Sequence, residues 1–501
     1  MSDPRSRLLG SSTKSRLAQG RRFHHRCGPD HRDPVLSPIT IGPGGVVATT
    51  DVVPTIAIRF FPFVLKGRTH RHAGPTIDLN VRRRRTTTRC PVGTNYDSEG
   101  SGPLRSVFIP KSNGKLRRLG IPTMKDRATQ ALYAMALLPV AEATADPHSY
   151  GFRPKRGVAD AIAQCHINLS QKNRATWVLE GDIKACFDKI DHQWLLDQIP
   201  MDHKVLSQWL KAGYLEKGTL FPTEAGTPQG GIISPILANM ALDEIQEMLA
   251  STVPKGSKVN FVRYADDFIC TGINEEILQR TVKPAIETFL RERGLMRSQE
   301  KTKITHIEEG FDFLGYNLKK FGEKMLIKPA TGKIKHHRLK LKTICRQLRF
   351  RKTFQVIAAL NRVQRGWGNF YRNCCASKVF SQINHDLFQM VKRELKRRHS
   401  KKSGKWIRRT YFKTIGNDHW ILAGKERRED QERTHYLFQL GRLPIRRHVK
   451  FLMAAHPFDP TFNKYIRKRK AMNMANRLKE SHLKGRTLTK WTRSKNTAGS
   501  L

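Results

Sequence analysis

Two adjacent carboxylates, Asp266 and Asp267, lie within the stretch KVNFVRYADDFICTG. Val262, Tyr264 and Phe268 alternate with polar or small neighbours, which predicts a strand, a tight turn and a second strand. Adjacent carboxylates repel each other, so one pKa should rise unless a cation keeps both groups ionised. Mg²⁺ suits this role, because it prefers oxygen ligands and leaves coordination positions open for phosphate. The pair therefore indicates phosphoryl transfer, although Asp-Asp also occurs in ordinary surface turns.

A third carboxylate, Asp182, ends the run TWVLEGD, which is typical of a buried strand. Two-metal phosphoryl transfer needs carboxylates from two elements, so that both ions can be bridged. We therefore expect Asp182, Asp266 and Asp267 to converge on one site. The nearby Asp188 and Asp191 are interpreted as helix caps or turn residues.

The stretch AGTPQGGIISPILANMALDEI separates these predicted strands. Its Pro228-Gln229-Gly230-Gly231 segment cannot be regular helix, and the glycines allow another backbone or a base to approach closely, although turn formation alone would also explain them. Apolar spacing predicts a helix from Pro235 to Leu249 with one buried face. Upstream, SVFIPKSNGKLRRLGIP predicts a hairpin and KDRATQALYAMALLPVAEA a helix. The mixture indicates an α/β or α+β fold, and α+β is preferred.

The composition is strongly basic, with 92 Lys and Arg against 42 Asp and Glu and a formal charge of +50. Such an excess repels itself in a compact state, so a polyanion, and nucleic acid in particular, is the expected partner. The excess is concentrated between residues 331 and 410, where 23 Lys or Arg accompany two acids. Apolar residues there recur at helical spacing, which predicts a helical bundle with a basic outer face.

The eight cysteines are scattered without a CxxC pair, so we expect reduced thiols in an intracellular protein. The apolar stretch IAIRFFPFVL is too short to span a bilayer, so no membrane association is expected. The first 26 residues are rich in Arg and Ser, a composition typical of a transit peptide or of a disordered segment, and we favour disorder. The cellular location is thus cytoplasmic or nucleoid-associated in a bacterium, and an organellar matrix in a eukaryote.

Several stretches together resemble group II intron reverse transcriptases and maturases, in the order that this family has. They are IPKSNGKLRRLGIPTMKDRATQ, SYGFRPKRGVADAI, LEGDIKACFDKIDH, GTPQGGIISPILANMALDEI, YADD and SQEKTKITHIEEGFDFLGY. LNRVQRGWGNFYR and LKRRHSKKSGKWI resemble the family's thumb or maturase domain, and LPIRRHVKFLMAAHPFDP its DNA-binding segment. The resemblance covers about residues 101 to 465.

This resemblance implies a right-hand polymerase with fingers, a palm with an antiparallel sheet and a YADD hairpin, and a helical thumb. The implied domains are fingers and palm over 101–330, thumb and maturase (domain X) over 331–412, and a basic DNA-binding-like segment over 413–501. Residues 1–100 show no sustained periodicity and lack the family's pattern ahead of IPK. We expect them to be disordered or divergent, and a wrong start or a frameshift stays open.

The resemblance also implies a role for individual residues. Asp182, Asp266 and Asp267, with the backbone carbonyl of Ile183, would hold two Mg²⁺ ions. Phe187 would contact the incoming sugar and exclude a 2′-hydroxyl. The remaining implied residues are Lys111 and Arg117 for the triphosphate, Gln229 for the nascent base pair, Gly230 and Tyr264 for the substrate, Lys301 for the leaving pyrophosphate, and Phe152, Arg153 and Pro154 for the template path.

The implied function is RNA-directed DNA synthesis from deoxynucleoside triphosphates, combined with binding of intron RNA to assist splicing and with target-DNA binding for retrohoming. An RNA-binding splicing factor with an idle or decayed polymerase is the alternative. A viral-type RNA-dependent RNA polymerase is disfavoured, because Phe187 would obstruct ribonucleotides. Many family members end in an HNH nuclease whose fold is stabilised by cysteine pairs. The sequence has no cysteine after Cys375, so we expect no endonuclease.

Overall fold

The computed structural model describes residues 100–110, 114, 116–300, 302–428 and 431–474. All of them belong to one of two compact units, Val92–Leu501. The other unit, Met1–Pro91, lies outside the described residues, as do Lys111 and Lys301. The expectation of disorder over 1–100 therefore concerns residues that the structure does not describe.

The first part of this unit contains a small sheet beside a larger one. The elements up to the central hairpin are β1 Leu104–Pro110, β2 Leu116–Ile121, α1 Met124–Thr144, α2 Val158–Leu169, β3 Trp177–Lys184, α3 Cys186–Lys189, α4 His192–Gln198, α5 His203–Leu210, β4 Tyr214–Glu216, β5 Thr219–Phe221, α6 Ser234–Ala241, α7 Ile245–Thr252, β6 Asn260–Tyr264 and β7 Asp267–Gly272. The small sheet has the order β2-β1-β4-β5.

The larger sheet has five strands and forms the base of the candidate site. After α8 Glu275–Ile277, a π-helical turn Leu278–Val282 leads into α9 Lys283–Arg291, β8 Met296–Arg297 and β9 Lys303–His306. The strand order is β6-β7-β3-β8, and β9 also pairs with β3. β3 is thus the central strand, and Val178 and Leu179 on it are buried against opposite hydrophobic cores.

The C-terminal part is mainly helical but carries two three-stranded sheets. Its elements are β10 Phe311–Phe313, β11 Tyr316–Phe321, β12 Lys324–Pro329, α10 Thr331–Arg346, a 3₁₀ turn Gln347–Arg349, α11 Thr353–Tyr371, α12 Ser377–Arg398, α13 Gly404–Tyr411, β13 Phe412–Ile415, β14 Asp418–Arg428 and β15 Gln431–Tyr436. The sequence did not predict the β13–β15 sheet. None of the helices in the described ranges has the length and apolarity needed to cross a membrane.

The helix predicted from Pro235 to Leu249 is interrupted, and this prediction was wrong in its continuity. α6 ends at Ala241 and α7 begins at Ile245, with Glu244 at a φ of +76° between them. The carboxylate of Asp146 accepts the N–H groups of Glu244 and Gln246, at 3.2 and 3.3 Å. This long-range carboxylate therefore replaces the hydrogen bonds of a continuous helix.

The segment 446–470, hereafter the return segment, runs from the end of α11 back to α2. The N–H of Arg446 donates to the carbonyl of Arg372 at 2.7 Å. Further along, the N–H of Phe451 donates to the buried carboxylate of Asp160 at 2.7 Å, and His448 Nε2 lies 2.8 Å from the same oxygen. The return segment therefore connects the C-terminal helices to the first part of the fold.

Candidate active site

The hairpin β6–β7 brings two of the predicted carboxylates opposite the third. Asp267 is the first residue of β7 and pairs in register with Asp182 on β3. Directly opposite residues of antiparallel strands project from the same face, with their Cβ atoms about 5 Å apart. Asp266 occupies the turn, and its carbonyl accepts the N–H of Ile183 at 3.0 Å. Asp182 and Asp267 therefore lie opposite each other on neighbouring strands, and Asp266 lies in the adjoining turn.

The turn that carries Asp266 is tight and is held from behind. Tyr264 pairs with Asp267, so the turn has two central residues, and the first, Ala265, has a φ of +58°. A non-glycine residue in this region is strained and persists only where its surroundings fix it. Gly151 provides that support, because a Cβ on it would lie 2.3 Å from the backbone nitrogen of Ala265.

A buried polar network fixes the loop that contains Gly151. Asn239 Nδ2 donates to the carbonyl of Gly151 at 2.9 Å. The fully buried guanidinium of Arg263 donates to Asn239 Oδ1 at 3.1 Å and to Asp243 Oδ1 at 2.7 Å. Burial raises the pKa of Asp243 to about 7, and the charge of Arg263 opposes that rise. Since each buried charge has a partner, the network can hold the turn rigidly.

Arg153 belongs to this support and not to a template path, contrary to the role that the resemblance implied. It is 6% exposed and forms a two-pronged ion pair with the carboxylate of Glu142, at 2.8 and 3.0 Å. Its neighbour Phe152 is 55% exposed and has a φ of +58°. The Phe152 ring packs edge-on against Phe187, with centroids 6.0 Å apart.

Phe187 lies in α3, one short turn after the strand that carries Asp182. Ala185 adopts a left-handed conformation, with a φ of +49°, and this reverses the chain after β3. The Phe187 side chain is half-buried, and its carbonyl accepts the N–H of Thr227. A Cβ on Gly226 would meet the Phe187 carbonyl at 2.5 Å, so only glycine allows this close approach.

The PQGG loop touches both α3 and the small sheet. Gln229 Nε2 donates to Asp188 Oδ2 at 2.9 Å, and the Gln229 carbonyl accepts the N–H of Gly120 at 2.9 Å. Gly230 has a φ of +131°, and a Cβ there would lie 2.7 Å from the carbonyl oxygen of Gly120. The loop therefore connects α3 to β2, the strand on which Arg117 is exposed.

Asp188 is a site residue that the sequence interpretation missed. The cap role holds for Asp191, whose carboxylate accepts the N–H of Trp194 at 2.7 Å. Asp188 instead orients the side-chain amide of Gln229. The signal available in the sequence was its position directly after Phe187, six residues after Asp182.

A cleft of about 880 Å³ opens between the five-stranded sheet and the helices α10 and α11. One wall is acidic and the other is basic. The acidic wall carries Glu180, Asp182, Asp267 and Asp312, and the facing wall carries Lys333, His336, His337, Lys340 and Arg362. His337 stacks on Trp367, with ring centroids 4.5 Å apart, and burial lowers its pKa. The cleft is therefore suited to a ligand that carries cations on one side and phosphates on the other.

Among the described residues, no group of three or more His, Cys, Asp or Glu side chains lies close enough to form a metal site. The donor chemistry nevertheless fits divalent cations, because carboxylates on paired strands repel each other without one. Cys186 provides a second observation. Burial raises the pKa of its thiol to about 12, and the charges of Asp266, Asp188 and Asp182 contribute to the rise. Asp182, Asp188 and Asp266 thus place negative charge in the same small region around Cys186.

Glu180, which lines the cleft, makes the stability of the folded protein depend on pH. Burial raises the pKa of Glu180 to about 7, and the charge of Asp312 adds to the rise. The folded state therefore binds a proton that the unfolded state releases, so stability falls as pH rises from about 4.5 to about 7. We expect this fall to be smaller in Glu180→Gln. Thermal melts of both proteins between pH 5 and 8 test this, with exposed Glu224→Gln as control. Parallel melting curves at every pH would contradict it.

Comparisons with known proteins identify the family of this chain. Residues 109–318 match the family described as reverse transcriptase (RNA-dependent DNA polymerase), and residues 334–412 match the group II intron maturase-specific domain. Protein YkfC of Escherichia coli (strain K12) is 33% identical over 269 residues, which cover 45% of this chain and 70% of YkfC. The group II intron-encoded protein LtrA of Lactococcus lactis subsp. cremoris is 31% identical over 297 residues, covering 45% of this chain and 48% of LtrA.

The chain therefore belongs to the group II intron-encoded reverse transcriptase and maturase family, as the resemblance indicated. The matched part spans about half the length of LtrA. A solved structure of telomerase from Candida albicans in complex with a telomeric RNA fragment aligns with a TM-score of 0.37 and 12% identity, over 63% of this chain and 65% of that chain. The fold is of the reverse transcriptase type, with mixed helix and sheet.

Proposed function

We propose that this chain is the RNA-directed DNA polymerase of a group II intron, and that it also binds the intron RNA to assist splicing and retrohoming. The observation that carries the proposal is the register of Asp182 opposite Asp267, with Asp266 in the adjoining turn. This arrangement presents carboxylates from two strands on one wall of a cleft whose opposite wall is basic. Polymerisation of nucleotides along a nucleic acid needs both features.

In this proposal the described elements form a right hand. The hairpin β1–β2 belongs to the fingers, the five-stranded sheet with the YADD turn is the palm, and the helices from α10 onward are the thumb and maturase domain. The domain limits stay those predicted from the sequence, 101–330, 331–412 and 413–501. The cleft between sheet and helices would hold the template and primer duplex.

Asp182, Asp266 and Asp267, with the carbonyl of Ile183, would hold two Mg²⁺ ions. Bound there, the ions would stabilise the negative charge that develops during phosphoryl transfer. The rigid turn against Gly151 keeps Asp266 and Asp267 in place relative to Asp182. Such preorganisation matters because charged ligands that must first move together lose part of their effect.

The residues around the carboxylates would orient the incoming nucleotide. Phe187 would pack against the sugar, Gln229 would contact the nascent base pair, and exposed Arg117 would bind the triphosphate. Asp188 acts as a positioning residue, because it fixes the Gln229 amide. The other proposed contacts are Gly230 and Tyr264 with the substrate, Lys111 with the triphosphate and Lys301 with the leaving group.

Primer extension tests the proposal directly. Purified protein should extend an oligo(dT) primer on a poly(rA) template with dTTP and Mg²⁺, and EDTA should stop synthesis. The formal net charge of +50 predicts that the affinity for the template falls steeply as the salt concentration rises. RNA binding that assists splicing, without any extension, would favour the alternative of a splicing factor with an idle polymerase.

We expect Phe187→Ala to admit ribonucleotides. A half-buried ring supported edge-on by Phe152 is rigid enough to exclude a 2′-hydroxyl, and alanine would remove that obstruction. The ratio of dNTP to rNTP incorporation efficiency should fall at least about tenfold, the usual scale for a change in pocket volume. Phe187→Tyr keeps the ring and should keep the ratio. An unchanged ratio in Phe187→Ala would remove Phe187 from the sugar site.

A further inference from the structure

The loop between α10 and α11 presents an aromatic ring to solvent on an ordered backbone. Phe350 is 83% exposed, whereas Leu348, two residues earlier, is completely buried. Arg398 Nη1 donates to the carbonyls of Leu348 and Arg351, at 2.9 and 3.0 Å, and the N–H of Phe350 donates to the carbonyl of Gln347 at 3.1 Å. The loop is therefore anchored to α12, and the exposed ring is held in place and not left on a free tail.

Next to this loop, α10 and α12 enclose a cationic pocket of about 470 Å³. It is lined by Lys342, Arg346, Arg349, Arg393, Glu394 and Arg397. Five cations and one carboxylate leave a net charge of +4, and the carboxylate is 2% exposed. The pocket thus combines the size of a small-ligand site with a charge that only an anion can offset.

Glu394 organises this pocket. Arg349 Nε donates to Glu394 Oε2 at 2.6 Å, Arg397 Nη1 donates to Oε1 at 3.0 Å, and Arg393 Nε lies 3.8 Å from Oε1. One buried carboxylate therefore accepts hydrogen bonds from two guanidinium groups and lies near a third, and their remaining N–H groups can bind phosphate oxygens. Arg349, which lines the pocket, directly precedes Phe350 in the sequence. Arg397, which also lines the pocket, directly precedes Arg398, the residue that anchors the loop. The pocket and the exposed ring are therefore supported by the same two segments of the chain.

We propose that Phe350 and the cationic pocket form a binding site for an unpaired nucleotide of single-stranded RNA. The base stacks on the Phe350 ring, and the adjoining phosphate enters the pocket among the guanidinium groups. Stacking needs an unpaired base, because the face of a base inside a duplex is already covered by its neighbours. The site thus discriminates single-stranded from double-stranded segments. It rests on the proposed RNA-binding role and is independent of the carboxylate site.

Fluorescence titration measures the stacking contact. The probe is an oligouridine of 12 nucleotides with one central 2-aminopurine, whose fluorescence is quenched on stacking. We expect Phe350→Ala and Phe350→Leu to weaken binding about tenfold, and Phe350→Tyr to retain it, since base–aromatic stacking depends on the ring. Leu339→Ala, a 61% exposed apolar residue on α10, is the matched control and should bind like the original protein.

The phosphate contact is tested with Lys342→Gln and Arg346→Gln. These two residues are chosen because the ion pairs of Glu394 involve the other three cations, whose loss would leave a buried charge without a partner. Each variant should weaken binding and reduce the slope of log affinity against log salt by about 1 for each phosphate that the substituted side chain no longer neutralises. Unchanged salt slopes in both variants would overturn the assignment of the pocket.

Crosslinking identifies the position of the base. The same oligouridine with one 5-iodouridine should, on irradiation, crosslink to Phe350, as mapped by mass spectrometry. Equal competition by duplex RNA, or absence of this crosslink, would overturn the site. Primer extension in the same preparations separates the two proposals. If the original protein extends the primer and Phe350→Ala does not change RNA binding, only the nucleotide site is contradicted. If the original protein does not extend the primer but Phe350→Ala weakens RNA binding, only the proposed polymerase activity is contradicted.

Discussion

Asp266→Asn is expected to abolish primer extension while leaving RNA affinity within about twofold of the original. Asp266 occupies the turn between β6 and β7, and its backbone carbonyl is bonded to Ile183, so the substitution retains the local hydrogen bond and changes only the carboxylate. In the proposed two-Mg²⁺ site, loss of one carboxylate ligand would remove several kcal/mol of transition-state stabilisation, which corresponds to a rate loss of about 10³-fold or more. RNA affinity depends on dispersed basic groups and should not follow this change.

The control for Asp266→Asn is Asp191→Asn. Asp191 is a nearby aspartate that caps α4, and asparagine caps a helix equally well, so synthesis should continue at close to the original rate. Extension rates and RNA affinities are measured on the same preparations. A loss of RNA affinity that matches the loss of synthesis would show that the variant is misfolded or that both functions share this site. Retained synthesis would refute the assignment of Asp266.

Gly151→Ala is expected to impair both stability and synthesis. A Cβ at position 151 would lie 2.3 Å from the nitrogen of Ala265 and 2.9 Å from the carbonyl carbon of Tyr264, and both are backbone atoms that cannot rotate away. Overpacking of this kind costs about 1–3 kcal/mol of the free energy of unfolding. Displacing the turn by about 1 Å would also move Asp266, which is enough to reduce the rate about 10²-fold.

Gly332→Ala is the matched control for Gly151→Ala. Gly332 lies near the start of α10, and a Cβ there would meet no atom within 4 Å. Alanine is favoured over glycine in a helix, so this variant should be as stable as the original protein or slightly more stable. Thermal melts and primer extension of the two variants provide the comparison. If Gly151→Ala melted and synthesised like Gly332→Ala, the turn would not depend on its contact with residue 151.

The sequence predicted those features that depend on local patterns. The helical spacing in FQVIAALNRVQRGW corresponds to α11, and the run TWVLEGD corresponds to most of β3. The family assignment, made from ordered motifs, is confirmed by the matches to the reverse transcriptase and maturase-specific families. Periodicity reports which residues face a core, and it succeeds where neighbours in sequence decide the conformation.

Features that depend on distant partners could not be predicted in this way. The sequence presents Arg153 as a cation available for nucleic acid, but the carboxylate of Glu142 pairs with it in the interior. Asp188 resembles a cap in the sequence, because nothing local indicates that Gln229 lies within 2.9 Å of it. The break between α6 and α7 likewise depends on Asp146, about 100 residues away in sequence. In each case the fold, and not the adjoining residues in the sequence, determines which partner the polar group pairs with.

The return segment has a consequence for how far the helical wall of the cleft can move. It is hydrogen-bonded to Arg372 at the end of α11 and to Asp160 on α2, so it links a helix that lines the cleft to the part of the fold that contains the five-stranded sheet. Movement of α11 away from the sheet is therefore opposed by these two contacts. The separation of the two walls is in this way limited by hydrogen bonds within the protein.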